Sequence, residues 1–473
     1  MISFENINKS DWRYNLMYKY VHLMHNKVYY RQYKVLNQDR IPKGKPIVAI
    51  CNHQNGLTDA LGILFAFAKD GRHPVFIARA DIFKKEIAAK ALRFLKIMPA
   101  FRARDVGAAG VGENDAIFNQ SAKILQENGV VALFPEAGHQ DCHTLGTFKK
   151  GFARIAFRAA EMMDFKEPIY ILPMSNHYDN YFSVQGRLVI TIGEPFEFSD
   201  LYDLYKEQPH RAEKILTDRA RVIVKDLMLD ISNLEYYDEY ELLCTMYGRE
   251  IMKKEGKSLN YFPNHLYASK KVVAMLDDYE KQNPDDFKSL MKKTFQYSKA
   301  LDKMHLRDWI FAQKLTTLGF FVRLLLSLVL LPIVVVGWAI NIFPYSLSSL
   351  ITRNIKDYML HSSFHFAVGV LVAYPLWYII TASILWGVTG LWWTTLIYLV
   401  LLPISLIVYL RSKVMLKKLY NRIRRFRLWF RGNRYYNTAV EDRKEIMKKM
   451  KEIDINSVKT KWSDIQVEER VIE

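Results

Sequence analysis

The chain has 473 residues, half of them apolar and a quarter charged. That excludes a wholly disordered or collagen-like polypeptide and leaves room for two to four units at roughly 100–200 residues each. Residues 324–352 and 358–410 contain no Asp, Glu, Lys or Arg, and about 20 apolar residues cross a membrane core of ~30 Å, so a fully soluble protein is excluded too. The net charge is +18, and residues 411–434 hold ten basic side chains and no acidic one.

Residues 1–45 are polar and aromatic, with Tyr14, Met17, Tyr18 and Val21 at helical spacing, and end in the turn Pro42-Lys43-Gly44. They form an expected N-terminal amphipathic helical region. Their start, residues 1–20, has no apolar core of a signal peptide, so the large polar part of the chain is expected in the cytoplasm. Over residues 46–204, short apolar runs alternate with helical patterns. The runs IVAIC (47–51), VFIARA (75–80), IMPAF (97–101), VVALF (130–134), IYILPM (169–174) and LVITIG (188–193) predict buried strands. Residues 56–69, 84–95, 113–127 and 149–163 predict helices, and Asn128-Gly129 reads as a glycine C-cap. The expected fold class is α/β, a mostly parallel sheet flanked by helices.

Residues 205–312 carry no strand pattern and predict a helical extension broken near Pro263 and Pro284. The membrane region spans 313–410. Its second uncharged stretch divides at Gly387-Val388-Thr389-Gly390 into two transmembrane helices, 366–386 and 391–410. The first, 324–343, holds Pro332 and Gly337 and is expected to be re-entrant, dipping into the membrane and returning. The basic segment and polar tail, 411–473, begins where positive-inside residues belong, with one short helix expected over 439–452. No nucleic-acid motif accompanies this basic cluster, which makes membrane lipid its expected partner and not nucleic acid. Three cysteines at long spacing give neither a disulfide framework nor a zinc pattern.

Several chemistry-bearing residues follow strand ends. After IVAIC comes Asn52-His53-Gln54-Asn55-Gly56-Leu57-Thr58-Asp59. A carboxylate can fix an imidazole tautomer and stabilise its protonated form, leaving the other nitrogen to take a proton from a hydroxyl. Six residues of helix turn through about 240°, so such a pair needs His53 in the loop and Asp59 in the next helix. Arg102 and Arg104 follow IMPAF, Pro135-Glu136-Ala137-Gly138-His139 follows VVALF, Lys149-Lys150 opens a helix, and Pro173 lies in IYILPM. In an open α/β sheet, groups at the carboxyl ends of strands converge on one crevice. The run 107–112 reads GxxGxG and not the dinucleotide order, and His139, Asp141, Cys142 and His143 lack the spacing of zinc sites. No metal or cofactor is expected.

Four blocks, Asn52–Asp59, Pro99–Arg102, Phe134–Gly138 and Ile171–Met174, in this order within residues 30–230, resemble the glycerophospholipid acyltransferase superfamily, which includes glycerol-3-phosphate and lysophosphatidic acid acyltransferases. The resemblance implies His53 as general base and Asp59 as its partner. It also implies substrate contacts at Asn52, Arg102, Arg104, Glu136, Gly138, Lys149 and Pro173, with Arg102 on the acceptor phosphate and Glu136 and Gly138 shaping the acceptor pocket. The commonest family box has four residues between His and Asp. The five found here look like the branch of glycerol-3-phosphate/dihydroxyacetone-phosphate acyltransferases, which also carries membrane segments after its catalytic domain. Where the family usually has Gly-Thr-Arg after Pro-Glu, this chain has Ala137-Gly138-His139, so Arg104, Lys149 or Lys150 would replace a missing arginine.

The implied activity is a membrane-bound O-acyltransferase of phospholipid biosynthesis. Its donor would be acyl-CoA or acyl carrier protein, and its acceptor glycerol 3-phosphate or a lysophospholipid such as 1-acylglycerol 3-phosphate. The implied setting is a bacterial inner membrane with the catalytic domain cytoplasmic. An acyltransferase for a non-phosphate lipid and a non-catalytic lipid-binding adaptor are the alternatives.

Overall fold

The computed structural model describes residues 4–101, 113–138, 142–312, 317–355, 357 and 360–456. They divide into one unit of Met1–Met228 with Thr352–Phe366 and a second of Leu229–Ile351 with Ala367–Glu473.

The first unit opens with helix α1 (Trp12–Leu23), whose inward face carries the predicted spacing: Tyr14 is buried, and Met17, Tyr18 and Val21 are half-buried. Seven strands follow: β1 (Gln32–Leu36), β2 (Ile47–Cys51), β3 (Val75–Arg79), β4 (Ile97–Ala100), β5 (Val130–Leu133), β6 (Tyr170–Tyr178) and β7 (Arg187–Ile192). Their order is β1-β7-β6-β2-β5-β3-β4, and every pairing is parallel except β6–β7. Strands β2 and β5 are buried at every position, as continuous apolar runs covered on both faces must be. Helices α2 (Gly56–Ala66), α3 (Glu86–Phe94), α4 (Glu113–Gln126) and α5 (Gly151–Met162) flank the sheet, and Phe152, Ala153, Ala156 and Phe157 of α5 bury against it.

Two local details differ from the sequence reading. Gln32–Leu36 is a strand, paired in parallel with β7, within the region expected to be helical. At the end of α4 the left-handed residue is Asn128 (φ 57), not Gly129. The Gly129 N–H bonds Ile124 O at 2.9 Å and the Asn128 N–H bonds Leu125 O at 2.9 Å, the paired bonds of a Schellman cap. Gly129 is needed for room, since a Cβ there would lie 2.6 Å from the Ile124 carbonyl oxygen. The predicted extension is divided as well: α6 (Tyr202–Glu207) and α7 (Pro209–Leu227) belong to the first unit.

The second unit gathers α8 (Tyr237–Lys254), α9 (Phe262–Gln282), α10 (Pro284–Lys303) and the C-terminal α15 (Arg434–Asn456), which is longer than the 439–452 expected. Buried Asp308 ties this bundle together by accepting from the Tyr297 hydroxyl at 2.8 Å and from Arg443 Nε at 2.7 Å. After the short apolar helix α11 (Thr317–Val329) come three helices long and apolar enough to cross a membrane. They are α12 (Leu331–Thr352, mean hydropathy 1.6), α13 (His361–Thr389, 1.9) and α14 (Trp392–Phe430, 2.1). The backbone breaks at Leu330, and α12 then runs unbroken through Pro344. Side chains such as Val336, Ile379, Trp386 and Ile404 are exposed, an apolar surface suited to lipid. Polar groups join these helices inside: Asn341 Nδ2 donates to Ser405 Oγ at 2.9 Å, and the Tyr378 hydroxyl donates to Asn341 Oδ1 at 3.0 Å.

Candidate active site

Strand order explains which predicted residues meet. Because β6, β2 and β5 are neighbours, Tyr178, His53 and Glu136 emerge from adjacent carboxyl ends. His53 lies in the loop after β2, and Asp59 lies in the first turn of α2, the division that the six-residue spacing requires. His53 Nδ1 is 2.8 Å from Asp59 Oδ2. Asp59 is fully buried, and His53 keeps 17% of its side-chain surface. The same Oδ2 accepts the backbone N–H groups of Gln54 and Asn55, each at 2.7 Å. Asp59 thereby ties the loop to the first turn of its helix, where a carboxylate is favoured by the helix dipole. Its other oxygen, Oδ1, accepts from the Tyr178 hydroxyl. Burial first, then the Asp59 charge, holds the Tyr178 pKa well above that of an ordinary tyrosine, which keeps this hydroxyl a donor.

The imidazole is also fixed in plane. Its ring stacks on Phe134 with centroids 4.1 Å apart and 12° between planes. Glu136 holds the backbone: Oε1 accepts the His53 N–H and Oε2 accepts the Gly146 N–H, both at 2.8 Å. Burial raises the Glu136 pKa while these two donors pull it down. With both oxygens engaged, Glu136 acts on the histidine loop itself. Beside it, Ala137 adopts the left-handed backbone (φ 54) where the family usually has glycine, whereas Gly138 is exposed with open space around it.

The remaining predicted residues sort by place. Asn52 is buried and extends the β2–β6 pairing, its Oδ1 accepting the Asn176 N–H at 2.7 Å and its Nδ2 donating to Asn176 O at 3.2 Å. Pro173 is a buried position of β6 paired with Ile50. It shares the edge of Ile171 that faces residues 193–196, where Gly193 donates to its carbonyl at 2.8 Å, so its missing N–H falls at a bend instead of a ladder position. Lys149 is exposed, and its N–H binds Pro135 O at 2.7 Å, beside Glu136. Lys150 turns to α7, donating to His210 O at 2.9 Å. Arg102, Arg104, residues 107–112, His139 and Asp141 lie outside the described residues. The strand before Arg102, β4, ends the sheet three strands from β2, roughly 14 Å at 4.7–4.9 Å per strand.

Sequence reasoning missed Tyr178, Gln54 and Asn55. The signal for Tyr178 was faint: the run Ser175-Asn176-His177-Tyr178 is polar and reads as a loop, yet it continues β6 with every residue buried.

The family model Acyltransferase matches residues 32–176. Residues 32–176 are thus similar to the acyltransferase domain that this family model describes, which supports the resemblance to the glycerophospholipid acyltransferase superfamily. Among individual proteins, the chain is similar to glycerol-3-phosphate O-acyltransferase 2 of Saccharomyces cerevisiae, 25% identical over 228 residues, or 46% of this chain. The match spans 29% of that relative's length. A solved structure, the 1-acyl-sn-glycerophosphate (LPA) acyltransferase PlsC from Thermotoga maritima, aligns with 44% of this chain and 78% of its own at 17% identity and a TM-score of 0.30.

Proposed function

We propose that the protein is a membrane-bound O-acyltransferase that moves a fatty acyl group from acyl-CoA or acyl carrier protein to glycerol 3-phosphate or a lysophospholipid such as 1-acylglycerol 3-phosphate. The observation that carries this reading is the His53–Asp59 contact of 2.8 Å at the carboxyl edge of the sheet, within the acyltransferase domain. With Nδ1–H donated to Asp59, proton transfer runs through Nε2. Nε2 takes the proton of the acceptor hydroxyl as its oxygen attacks the thioester carbonyl. Collapse of the tetrahedral adduct breaks the C–S bond, and the imidazolium returns the proton to the departing thiolate. A positioned base contributes about 10²–10⁴-fold. In this reading Arg102, Arg104 and Lys149 neutralise the acceptor phosphate, and the edge position of β4 suits an acceptor that extends away from the base.

The proposed topology has two crossings, α13 and α14, with α11 and α12 dipping and returning. Its support is that Thr352–Phe366 belongs to the same unit as the histidine loop, as expected if the chain returns to the catalytic side before α13. The basic segment after α14 then shares that side, the cytoplasmic one in this reading. The test is direct. The purified full chain is incubated with labelled acyl-CoA or acyl carrier protein and a panel of glycerol 3-phosphate, lysophosphatidate and an uncharged lipid alcohol. An acylated phosphate-bearing product is expected. Transfer to the uncharged alcohol alone would contradict the acceptor, and no transfer to any acceptor would contradict the activity.

A further inference from the structure

The histidine loop is held from a part of the chain more than 300 residues away. Ser363, fully within the first unit, is buried and donates from Oγ to the Asn55 carbonyl at 3.1 Å, with Asn55 Oδ1 at 3.3 Å. That carbonyl is the first acceptor of α2: Thr58 N, Thr58 Oγ1 and Asp59 N all lie within 3.3 Å of it. The Asn55 N–H is also one of the two backbone donors on Asp59 Oδ2. The Asn55 side chain is tied a second time, its amide donating to Tyr181 O. Gly56 completes the fit. It sits at φ +39, and a Cβ there would lie 2.9 Å from Ser363 Oγ and 3.0 Å from Leu360 Cδ2. Next to Ser363, Ser362 makes an unrelated bond, its Oγ 2.7 Å from the Tyr29 hydroxyl.

We propose that Ser363, in the first turn of α13, is a positioning residue for the acyl transfer reaction: it fixes the Asn55–Gly56 start of α2 and thereby the Asp59 carboxylate that orients His53. The inference rests on the acyltransferase reading above. It makes the start of a helix long enough to cross the membrane part of the support of the catalytic loop.

The experiment compares Ser363→Ala and Ser362→Ala with the wild-type full chain in lipid nanodiscs. Two readouts are used: backbone hydrogen exchange over residues 52–60, and acyl-transfer kinetics. Both variants delete one buried serine hydroxyl from the same helical turn, so a general loss of packing affects them alike. Ser363→Ala is expected to speed exchange in 52–60 roughly two- to tenfold, the weight of one neutral hydrogen bond. It should lower kcat about tenfold or more with both KM values little changed, because small misplacements of a reacting group can cost on the order of a hundredfold. Ser362→Ala should leave exchange in 52–60 and kcat as in the wild type. With a wild type that transfers acyl groups, the inference is overturned if Ser363→Ala equals the wild type in either readout, or if Ser362→Ala matches Ser363→Ala in both. A wild type with no transfer at all, alongside faster exchange in Ser363→Ala, would instead overturn the acyltransferase reading, with the hold on the loop standing.

Discussion

Tyr178 donates its hydroxyl hydrogen to Oδ1 of Asp59, the carboxylate oxygen opposite the one that holds His53. The pair joins the end of β6 to the first turn of α2 across the histidine loop. Each Asp59 oxygen therefore has a fixed partner, and the carboxylate cannot rotate away from the imidazole. Tyr178→Phe leaves a buried carboxylate oxygen without its donor, and hydrogen bonds to charged groups contribute about 1.5–3 kcal/mol. We expect that loss of stability in a denaturant titration, together with reduced kcat. A variant with unchanged stability would show that this contact does not hold the carboxylate.

Asp59→Asn separates charge from geometry. Its amide oxygen can still accept from Gln54, Asn55 and His53, while the negative charge that stabilises the imidazolium is gone. Turnover is expected to fall by about 10²–10⁴-fold with the fold retained. Circular dichroism and single-turnover rates measure the two halves of that statement, and a fall of less than tenfold would assign Asp59 a purely structural role.

Glu136→Gln should damage the site without touching substrate. A glutamine can accept only one of the two N–H groups now held by the Glu136 oxygens, and its NH2 would face the other. The expected cost is about 1–3 kcal/mol of stability with lowered kcat. If acceptor KM alone rises, Glu136 contacts the acceptor and not the loop.

Acidification should destabilise the first unit. Burial lowers the pKa of His25 and of His143 to about 4 each. The unfolded chain takes up these protons near pH 6.5, whereas the folded chain resists until about pH 4. Stability is therefore lost as pH falls through that window, by at most about 3 kcal/mol per histidine. His143→Phe should flatten its share of the slope in unfolding midpoints recorded between pH 7 and pH 4. An unchanged slope would contradict the assignment.

Topology is open to cysteine labelling in intact cells. Ser348 and Ser412 are buried within α12 and α14, so the probes belong at exposed Asn354, Leu391 and Arg431. In a background with Cys51, Cys142 and Cys244 replaced by alanine, an impermeant outside reagent should label Leu391→Cys and spare Asn354→Cys and Arg431→Cys. Labelling at 354 would mean that α12 crosses.

The regular part of the fold was legible because its signals are local. Six strands and four helices of the α/β domain follow from apolar runs and helical spacing, and the split of His53 into loop and Asp59 into helix follows from 100° per residue. What escaped depends on distant partners. Gln32–Leu36 mixes polar and apolar residues and becomes a strand only because β7 lies beside it. Tyr178 is 119 positions from Asp59 and ends a polar run that nothing local marks as buried. Ser363 meets Asn55 across 308 positions, from the start of an apolar helix read for its hydropathy alone.

The central claim is that His53 is the base for acyl transfer, and one measurement tests it most directly. Wild-type and His53→Ala proteins, matched for folding by circular dichroism, are given labelled acyl thioester and phosphate-bearing acceptor, and the acylated product is counted. Loss of about 10²–10⁴-fold in turnover in the folded variant is the predicted result. Near-normal turnover by folded His53→Ala would contradict the account.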